Sequence, residues 1–582
     1  MKPKRKKPLA WGLGLTLLLT LGLFGCTSAV SGSTPTASPA STVPGGTATP
    51  AVAMNSPEGW WHQNTVIYQI WVSAFQNGST NASGNTGNLA GITAALKSNY
   101  FTDLGVNALW LSPVFAASSL TTSSTNKHGY DTTDYNDVAA IYGSNQDLSD
   151  LITAAHAQGI RVIFDFVPNH TSNQNPWFID SASATTALHR DWYTWVPSVP
   201  GYPGPSNTSI WPGSDSNIWH YDNGSYYYGI FGSGMPDLNY NNPQVTAAMQ
   251  AVVKGWMAFG FDGMRVDAAR YLLEGTAPDT YADQPATHVW FDNLRANVLD
   301  AFPSNTAKFM MGEVWGYTGT SQTATDLTYL NDQGAPEFNV VLDFTWPNLL
   351  ITAITSGGAS AVSSLTSHMV QDCTSAQNAG GDLGEFQSNH DLAASRPYTA
   401  YNGNAPKIFL AAALDLLGQG IPIVYYGNEI AMPGSVSGPD TNMRQPFDWS
   451  TEQTLASTTD SLWQWHSALA HLRTGYGAWN TPSITSVTTD NSSFLAFEIT
   501  SAITGKKAVI VANLSGGTAT AHLTVTATTV SGLLGTTAKD TLQNSTLTVN
   551  DLPMDGVRVY ALDDASAVSV LNHDPIPGPQ SL

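Results

Sequence analysis

"GFDGMRVDAAR" occupies residues 260–270, with Asp262 and Asp267 at either end of the apolar-rich run around Met264 and Val266 and Arg265 between them. Read as a strand, the segment has a period of two, so Arg265 and Asp267 point one way while Asp262, Met264 and Val266 point the other. Asp262 stands where the strand begins and Asp267 where it ends. Asp262 is therefore expected to be scaffold. Arg265, one step below Asp267 on the same face, is expected to keep that carboxylate ionised and oriented through its charge and its hydrogen bonds.

Seven other runs read the same way: "VIYQIWV" (66–72), "VNALWL" (106–111), "RVIFDFV" (161–167), "FMMGEV" (309–314), "FNVVLDF" (338–344), "GEFQS" (384–388) and "IPIVYYG" (421–427). Most are nearly continuous apolar stretches, as strands buried on both faces are. Helical segments separate them, among them "APKIFLAAALDLLG" (405–418), which is apolar all round. Eight such units predict an α/β fold, a (β/α)8 TIM barrel with insertions. An open doubly wound sheet is the alternative at this point. Between the third and fourth strands lie roughly ninety residues rich in Trp, Tyr, Gly and Asn. That is too long for a structureless loop, and a small inserted domain is expected there. From residue 476 the pattern becomes β-rich ("SFLAFEI", "KKAVIVANL", "TATAHLTVT", "GVRVYAL"), which predicts an antiparallel β-domain in a supporting role.

The N-terminus reads as a targeting segment. "MKPKRKK" is basic, "LAWGLGLTLLLTLGLFG" is apolar, and "LFGC" resembles a bacterial lipobox with Cys26 as the lipidated residue. A plain secretory signal or an uncleaved anchor is the alternative. Residues 27–57 are Ser, Thr, Ala, Pro and Gly-rich with no charge before Glu58, the composition of a flexible stalk. The expected organisation is a lipoprotein signal peptide (1–25), a linker (26–58), a catalytic barrel (59–170 and 243–475), an inserted domain B (171–242), a C-terminal β-domain (476–563) and a tail (564–582). The expected location is the cell surface or the extracellular space, with the membrane met only through the lipid on Cys26. With Cys26 lipidated, Cys373 has no partner for a disulfide and is expected to be inert.

The formal charge is −21, with only 11% charged residues, and cleavage after residue 25 takes it to about −26. So acidic a chain argues against nucleic acid and anionic membranes as partners. The 18 Trp and 22 Tyr could serve sugar faces, although most of them should be core. Composition sets no oligomeric state.

In a TIM barrel the chemistry collects where strands end. Asp267, Glu313 (in "MMGEVW"), Asp391 (after "EFQSNH") and the pair Asn169–His170 (in "DFVPNH") all stand at such ends. So few Lys and Arg cannot pair off every one of these acids, which favours a site over separate salt bridges. Neighbouring strands lie about 4.8 Å apart. Carboxyls at the ends of strands four and five can thus approach the roughly 5–5.5 Å used by retaining glycosidases, in which one acid attacks and the other gives and takes a proton. Val314 and Trp315 are expected to give Glu313 apolar company, which would keep it protonated.

Taken together, "DFVPNH" (165–170), "GFDGMRVDA" (260–268), "GEVW" (312–315) and "FQSNHD" (386–391) resemble, in order, the four main sequence regions of the alpha-amylase family, glycoside hydrolase family 13. "GVNALWLSP" (105–113) and "GIPIVYYGNE" (420–429) resemble two accessory regions. The resemblance spans most of residues 60–563. It implies an alpha-glucan substrate, with Asp267 as nucleophile, Glu313 as acid/base and Asp391 as transition-state stabiliser. It implies that Arg265, His170 and His390 hold the sugar at subsite −1, that Tyr130 in "HGYDTTDY" (128–135) is its aromatic platform, and that Asp131 helps on the nonreducing side. "MPDLN" (235–239) is similar to a group intermediate between oligo-1,6-glucosidases and neopullulanases, which includes bacterial lipoprotein alpha-amylases. "AARY" follows Asp267 where many relatives have a Lys-His pair; the resemblance gives Arg270 the Lys role of gripping an acceptor sugar and leaves the His role unfilled.

No organic cofactor is implied. The loop "FQNGSTNASGNTGNLAGI" (75–92) has no acid, where relatives often carry an Asp-rich calcium loop, and it is expected to bind calcium weakly or not at all. A second family site would use Asn169 with acids of the insert, so calcium is expected there or else a hydrogen bond from Asn169 that ties the insert down. The leading expectation is an endo-acting alpha-amylase on starch, glycogen and maltooligosaccharides. The alternatives are an alpha-glucosidase, neopullulanase or cyclomaltodextrinase, a transglycosylase, and a non-catalytic starch-binding lipoprotein.

Overall fold

The computed structural model describes residues 59–62, 64–78, 87–199, 217–275, 281–316, 320–434, 442–571 and 582. The signal segment, Cys26, the stalk, residues 79–86 of the 75–92 loop and Trp211 lie outside the described residues.

Eight strands close a parallel barrel: β1 (Ile67–Ile70), β2 (Ala108–Leu111), β3 (Arg161–Phe166), β4 (Gly263–Val266), β5 (Phe309–Gly312), β6 (Val340–Leu342), β7 (Asp382–Glu385) and β8 (Ile421–Tyr425). Each strand neighbours the next in sequence, and β8 returns to β1. Each strand overlaps one of the eight runs read from the sequence, although the seventh begins two residues before "GEFQS" and ends at Glu385, and the closed barrel replaces the open-sheet alternative. Helices alternate with them, starting at residues suited to the task. Asn88, Asn242 and Asn404 cap their helices through their side chains, and Ser144 with Asp147 forms a capping box.

Strand alternation divides the core in two. Ile67, Trp110, Ile163, Phe309, Met311, Val340 and Ile423 fill the barrel, with Trp60 and Trp61 packed against Phe309. Met264, Val266 and Met310 belong instead to the layer shared with the helices. Arg265 lies in register with Met311 on β5 and with Asp165 on β3, so it shares the interior parity.

Between β3 and β4 the chain forms a helix (Pro176–Ser183) and a three-stranded antiparallel sheet of Trp195–Val196, Ser225–Tyr228 and Trp219–Asp222. Phe178, Tyr193, Trp195 and Tyr227 pack together within it, so these aromatics are core. Bridges from His170 to Asp237 and from Tyr193 to Leu238 join its two ends.

Beyond the barrel lie a five-stranded and a three-stranded antiparallel sheet over a shared apolar core. Their strands at Pro482–Ser486, Val530–Leu534, Thr541–Gln543 and Thr546–Leu552 are too polar to stand out in the sequence. The stretch read as a tail is partly tied down: the Val570 amide donates to the Leu533 carbonyl (2.9 Å) and the Gly535 amide to that of Leu571 (3.0 Å).

Candidate active site

Arg265 organises the mouth of the barrel. Its side chain is 1% exposed, and its Nη1 lies 2.6 Å from Asp165 Oδ1 and 2.8 Å from Asp267 Oδ1, while Nη2 lies 2.8 Å from Glu313 Oε2. One guanidinium thus serves three carboxyls. Glu313 Oε2 also accepts the Ala268 amide at 3.0 Å. Ala268 adopts a left-handed backbone (φ +50°) that aims this amide, a conformation L-residues seldom take. Val314 is buried in the outer layer. Glu313 therefore sits among polar donors rather than in the apolar company expected of it.

The carboxyl of Asp267 is not depressed as expected from its partner Arg265. Burial pushes that carboxyl well up, Arg265 pulls it down, and the charges of Glu313, Asp165 and Asp391 push it up again. Burial also raises Asp165, against the pull of Arg265. The reason is stoichiometric: one buried cation is shared by neighbouring acids, so the pull of Arg265 does not offset the burial of Asp267 and Asp165.

Asp391 has separate partners. Burial works to raise it, but His390 (Nε2, 2.9 Å), Arg444 (Nη2, 2.9 Å) and the charge of Arg265 hold it well below the usual carboxylate range. His390 lies 2.8 Å from Gln69 through Nδ1 and 2.8 Å from the Tyr130 hydroxyl through Nε2, and its ring stacks between Trp71 and Tyr130. Tyr130 also donates to Asp165 Oδ2 at 3.1 Å. His170 Nε2 lies 3.1 Å from the Tyr130 carbonyl, and burial lowers its pKa to about 3, so it is neutral. Asp131 Oδ1 accepts from the Ser119 amide and hydroxyl and so braces the turn ahead of Tyr130.

Asp267, Glu313, Asp391, Tyr130, His170, Arg265 and His390 thus form one connected cluster. Arg270 does not join it. It is 3% exposed and committed to Asp283 and to the Trp315 carbonyl, so it is not presented to an acceptor sugar as expected. Asp262 is remote from the mouth, held by Arg161 (3.0 Å), His156 (2.7 Å) and the Val162 amide (2.9 Å).

Asp165, Gln69 and Arg444 were missed by sequence reasoning. Asp165 shares the interior parity of Ile163, and that signal could have found it. Arg444 lies in the loop after β8, where its guanidinium covers Trp71 (4.3 Å) and bonds the His390 carbonyl (3.2 Å); no strand pattern points to it.

A second buried group joins barrel and insert. Asn169 Nδ2 donates to Asp237 Oδ2 (3.1 Å), while the buried Asn169 Oδ1 has no hydrogen-bond partner among the described residues. Burial raises Asp237 to about 8, and burial with the charge of Asp237 raises Glu274. Oxygen donors in need of a cation fit calcium. Among the described residues no cluster of three or more His, Cys, Asp or Glu is arranged as a metal site. Cys373 is a buried free thiol, pushed up by burial, with its Sγ 3.6 Å from Glu385 Oε1.

Residues 69–471 match the alpha-amylase catalytic domain. The chain is 30% identical over 407 residues to alpha-amylase 3 of Dictyoglomus thermophilum, covering 69% of this chain and 70% of that protein. It is 30% identical over 457 residues to maltase 1 of Drosophila virilis, with 69% and 67% covered. The crystal structure of an alpha-amylase from H. orenii superposes with a TM-score of 0.70 at 25% identity, covering 86% of this chain and all of that one.

Proposed function

Because the chain belongs to the alpha-amylase family and is a glycoside hydrolase of that family, we propose that it cleaves internal α-1,4-glucosidic bonds of starch, glycogen and maltooligosaccharides with retention of configuration. The observation that carries this reading is the single Arg265 guanidinium binding both Asp267 and Glu313, which brings together at the barrel mouth the pair of carboxyls that a retaining mechanism uses.

In this reading Asp267 Oδ1 stays on Arg265 and Oδ2 attacks the anomeric carbon. Glu313 Oε2 stays on Arg265 and the Ala268 amide, and Oε1 gives its proton to the glycosidic oxygen. The C1–O bond breaks as the C1–Oδ2 bond forms. Water then enters, Glu313 takes one of its protons, and the ester to Asp267 is released. Asp391, kept ionised by Arg444 and His390, holds sugar hydroxyls and stabilises the developing positive charge. Tyr130, stacked on His390, is the platform under the sugar at subsite −1; His170, through the Tyr130 carbonyl, and His390, through the Tyr130 hydroxyl and Asp391, hold that platform in place, and Asp131 fixes the turn that carries Tyr130.

A second reading, an exo-acting alpha-glucosidase, is favoured by the similarity to a maltase at the same level of identity. Digesting amylose blocked at its nonreducing ends separates the two. An endo-enzyme shortens the blocked polymer; an intact polymer would overturn the endo reading.

Calcium completes this reading. Asn169 Oδ1, Asp237 and Glu274 would hold it, and it would neutralise the buried Asp237 and the half-buried Glu274 and fasten the insert to the barrel. Without it, the raised carboxyl of Asp237 costs stability as pH climbs from about 4 to about 8, because the unfolded chain has already lost the proton that the folded chain keeps. Calcium should therefore raise Tm more at pH 8 than at pH 5. A Tm indifferent to calcium at both would leave only the Asn169–Asp237 bond. Export with a lipid on Cys26 is proposed from the basic, apolar and lipobox segments; radiolabelled fatty acid should enter the wild type and not Cys26→Ala.

A further inference from the structure

The insert's three-stranded sheet has two unlike faces. Trp195 and Tyr227 pack with Phe178 on one side, so alternation turns Val196, Trp219, Tyr221, Tyr226 and Tyr228 to the other. None of these five carries a charge, and all but Val196 are aromatic. They pair across the hairpin. Trp219 meets Tyr228 at 5.2 Å between centroids and 67° between planes, and Tyr221 meets Tyr226 at 5.1 Å and 66°. Positions two apart on a strand are about 7 Å from each other, so the face carries two angled pairs of rings in line.

The two pairs have different surroundings. Tyr228 is buried with Ile218 and Ile230 against Ala268 and Tyr271 at the barrel mouth, and the Ala268 amide is the one that holds Glu313. Tyr221, at the tip, is 66% exposed, and Tyr226 beside it is half-buried. Among the described residues neither hydroxyl of this outer pair has a hydrogen-bond partner. The tip is also fixed. Asn223 (φ +42°) and Gly224 (φ +85°) make a left-handed two-residue turn, and Asn223 Nδ2 donates to the Ala182 carbonyl at 3.0 Å, which pins the hairpin to the helix Pro176–Ser183. A rigid platform binds with little ordering cost. Uncharged rings with polar tips, on a strongly acidic chain, suit a neutral ligand that has both apolar faces and hydroxyls. A pyranose has both. An α-1,4-glucan coils, so successive sugars turn their faces against each other, and rings set at an angle match that turn.

We propose that this face is an accessory surface outside the catalytic subsites, on which Tyr221 and Tyr226 stack sugars of a starch strand and keep the polymer at the enzyme. The row of rings leads from the tip to the barrel mouth, so a strand held there stays close to the carboxyls. The choice of ligand rests on the alpha-glucan reading above.

The test measures binding to insoluble starch in a Glu313→Gln background, which spares the polymer, and kcat/KM for maltotriose in the active enzyme. Tyr221→Ala should weaken starch binding about three- to tenfold, and Tyr221→Ala combined with Tyr226→Ala at least about tenfold. Tyr221→Phe keeps the ring and should lose less than Tyr221→Ala. All of them should leave kcat/KM for maltotriose within about twofold, since a trisaccharide is held by the active site alone. Should the double variant not fold, Tyr221→Ala, at the exposed tip, decides the matter. Starch binding that does not move, or an equal loss on maltotriose, would overturn the inference. So would a wild type that sediments as a dimer and a double variant that sediments as a monomer with starch binding unchanged, because the face would then join two copies of the chain. A wild type that holds starch through these rings but cleaves neither starch nor maltotriose would overturn the hydrolase reading and uphold this one.

Discussion

The two ends of β4 each present an aspartate, and the two are solved in opposite ways. At the start of the strand Asp262 has its own cation, Arg161, together with His156 and a backbone amide. Burial would raise it, but those partners prevail and hold it below the usual range. At the end of the strand Asp267 shares one cation with Asp165 and Glu313, and it is pushed up. A scaffold acid is fully compensated. The acid to which the proposed function gives the reacting role sits in a cluster left short of positive charge.

The largest effect should come from breaking the under-compensated end. Asp267→Asn and Glu313→Gln should each lower kcat on starch by at least about 10³-fold. Both should leave Tm unchanged or raise it by a few degrees, since each removes a carboxyl from a crowded cluster. A fall in Tm matching the loss of activity would mean that these acids serve the fold. Asp262→Asn should do the reverse. It should cost about 1–3 kcal/mol in urea unfolding, because Arg161 and His156 lose their acceptor, while kcat per folded molecule stays within about twofold.

The pH dependence sharpens the same contrast. Asp262, with its folded pKa lowered, adds stability that is present above its unfolded value and is lost as pH falls through the folded one. Asp267, with its folded pKa raised, loses stability as pH climbs above its unfolded value of about 4. Against the wild type, Asp262→Asn should flatten the acid limb of a Tm profile and Asp267→Asn the decline that sets in as pH climbs above about 4. Profiles shifted uniformly across pH would break the comparison. The smallest effect is expected at Tyr130→Phe, which keeps the ring but removes the hydroxyl bonded to His390 and Asp165. A loss of about five- to tenfold in kcat/KM is expected.

Much of this was legible in particular residues. Asp267, Glu313 and Asp391 end apolar runs, and alternation alone set Arg265 beside Asp267 and turned Asp262 away. Asp165 was within reach of the same rule. Arg444 was not, because it comes from an irregular loop that reaches its place only when β8 closes against β1. Arg270 was misread because its position in the chain says nothing of Asp283, which folds back from beyond the segment after Tyr271 to claim it. The polar strands of the C-terminal sheets escaped notice for a related reason: their pairing satisfies backbone groups whatever the side chains are.

The sequence by itself determined the eight strands, their buried character and which residues stand at their ends, because periodicity and burial are local properties of the chain. Only the tertiary structure decided how charge is shared. Three acids from three strands meet one guanidinium, a fourth acid takes a distant arginine, and Arg270 is turned from substrate to scaffold. Proton affinities depend on distances of a few ångströms between groups far apart in the chain, and no local pattern of residues contains them.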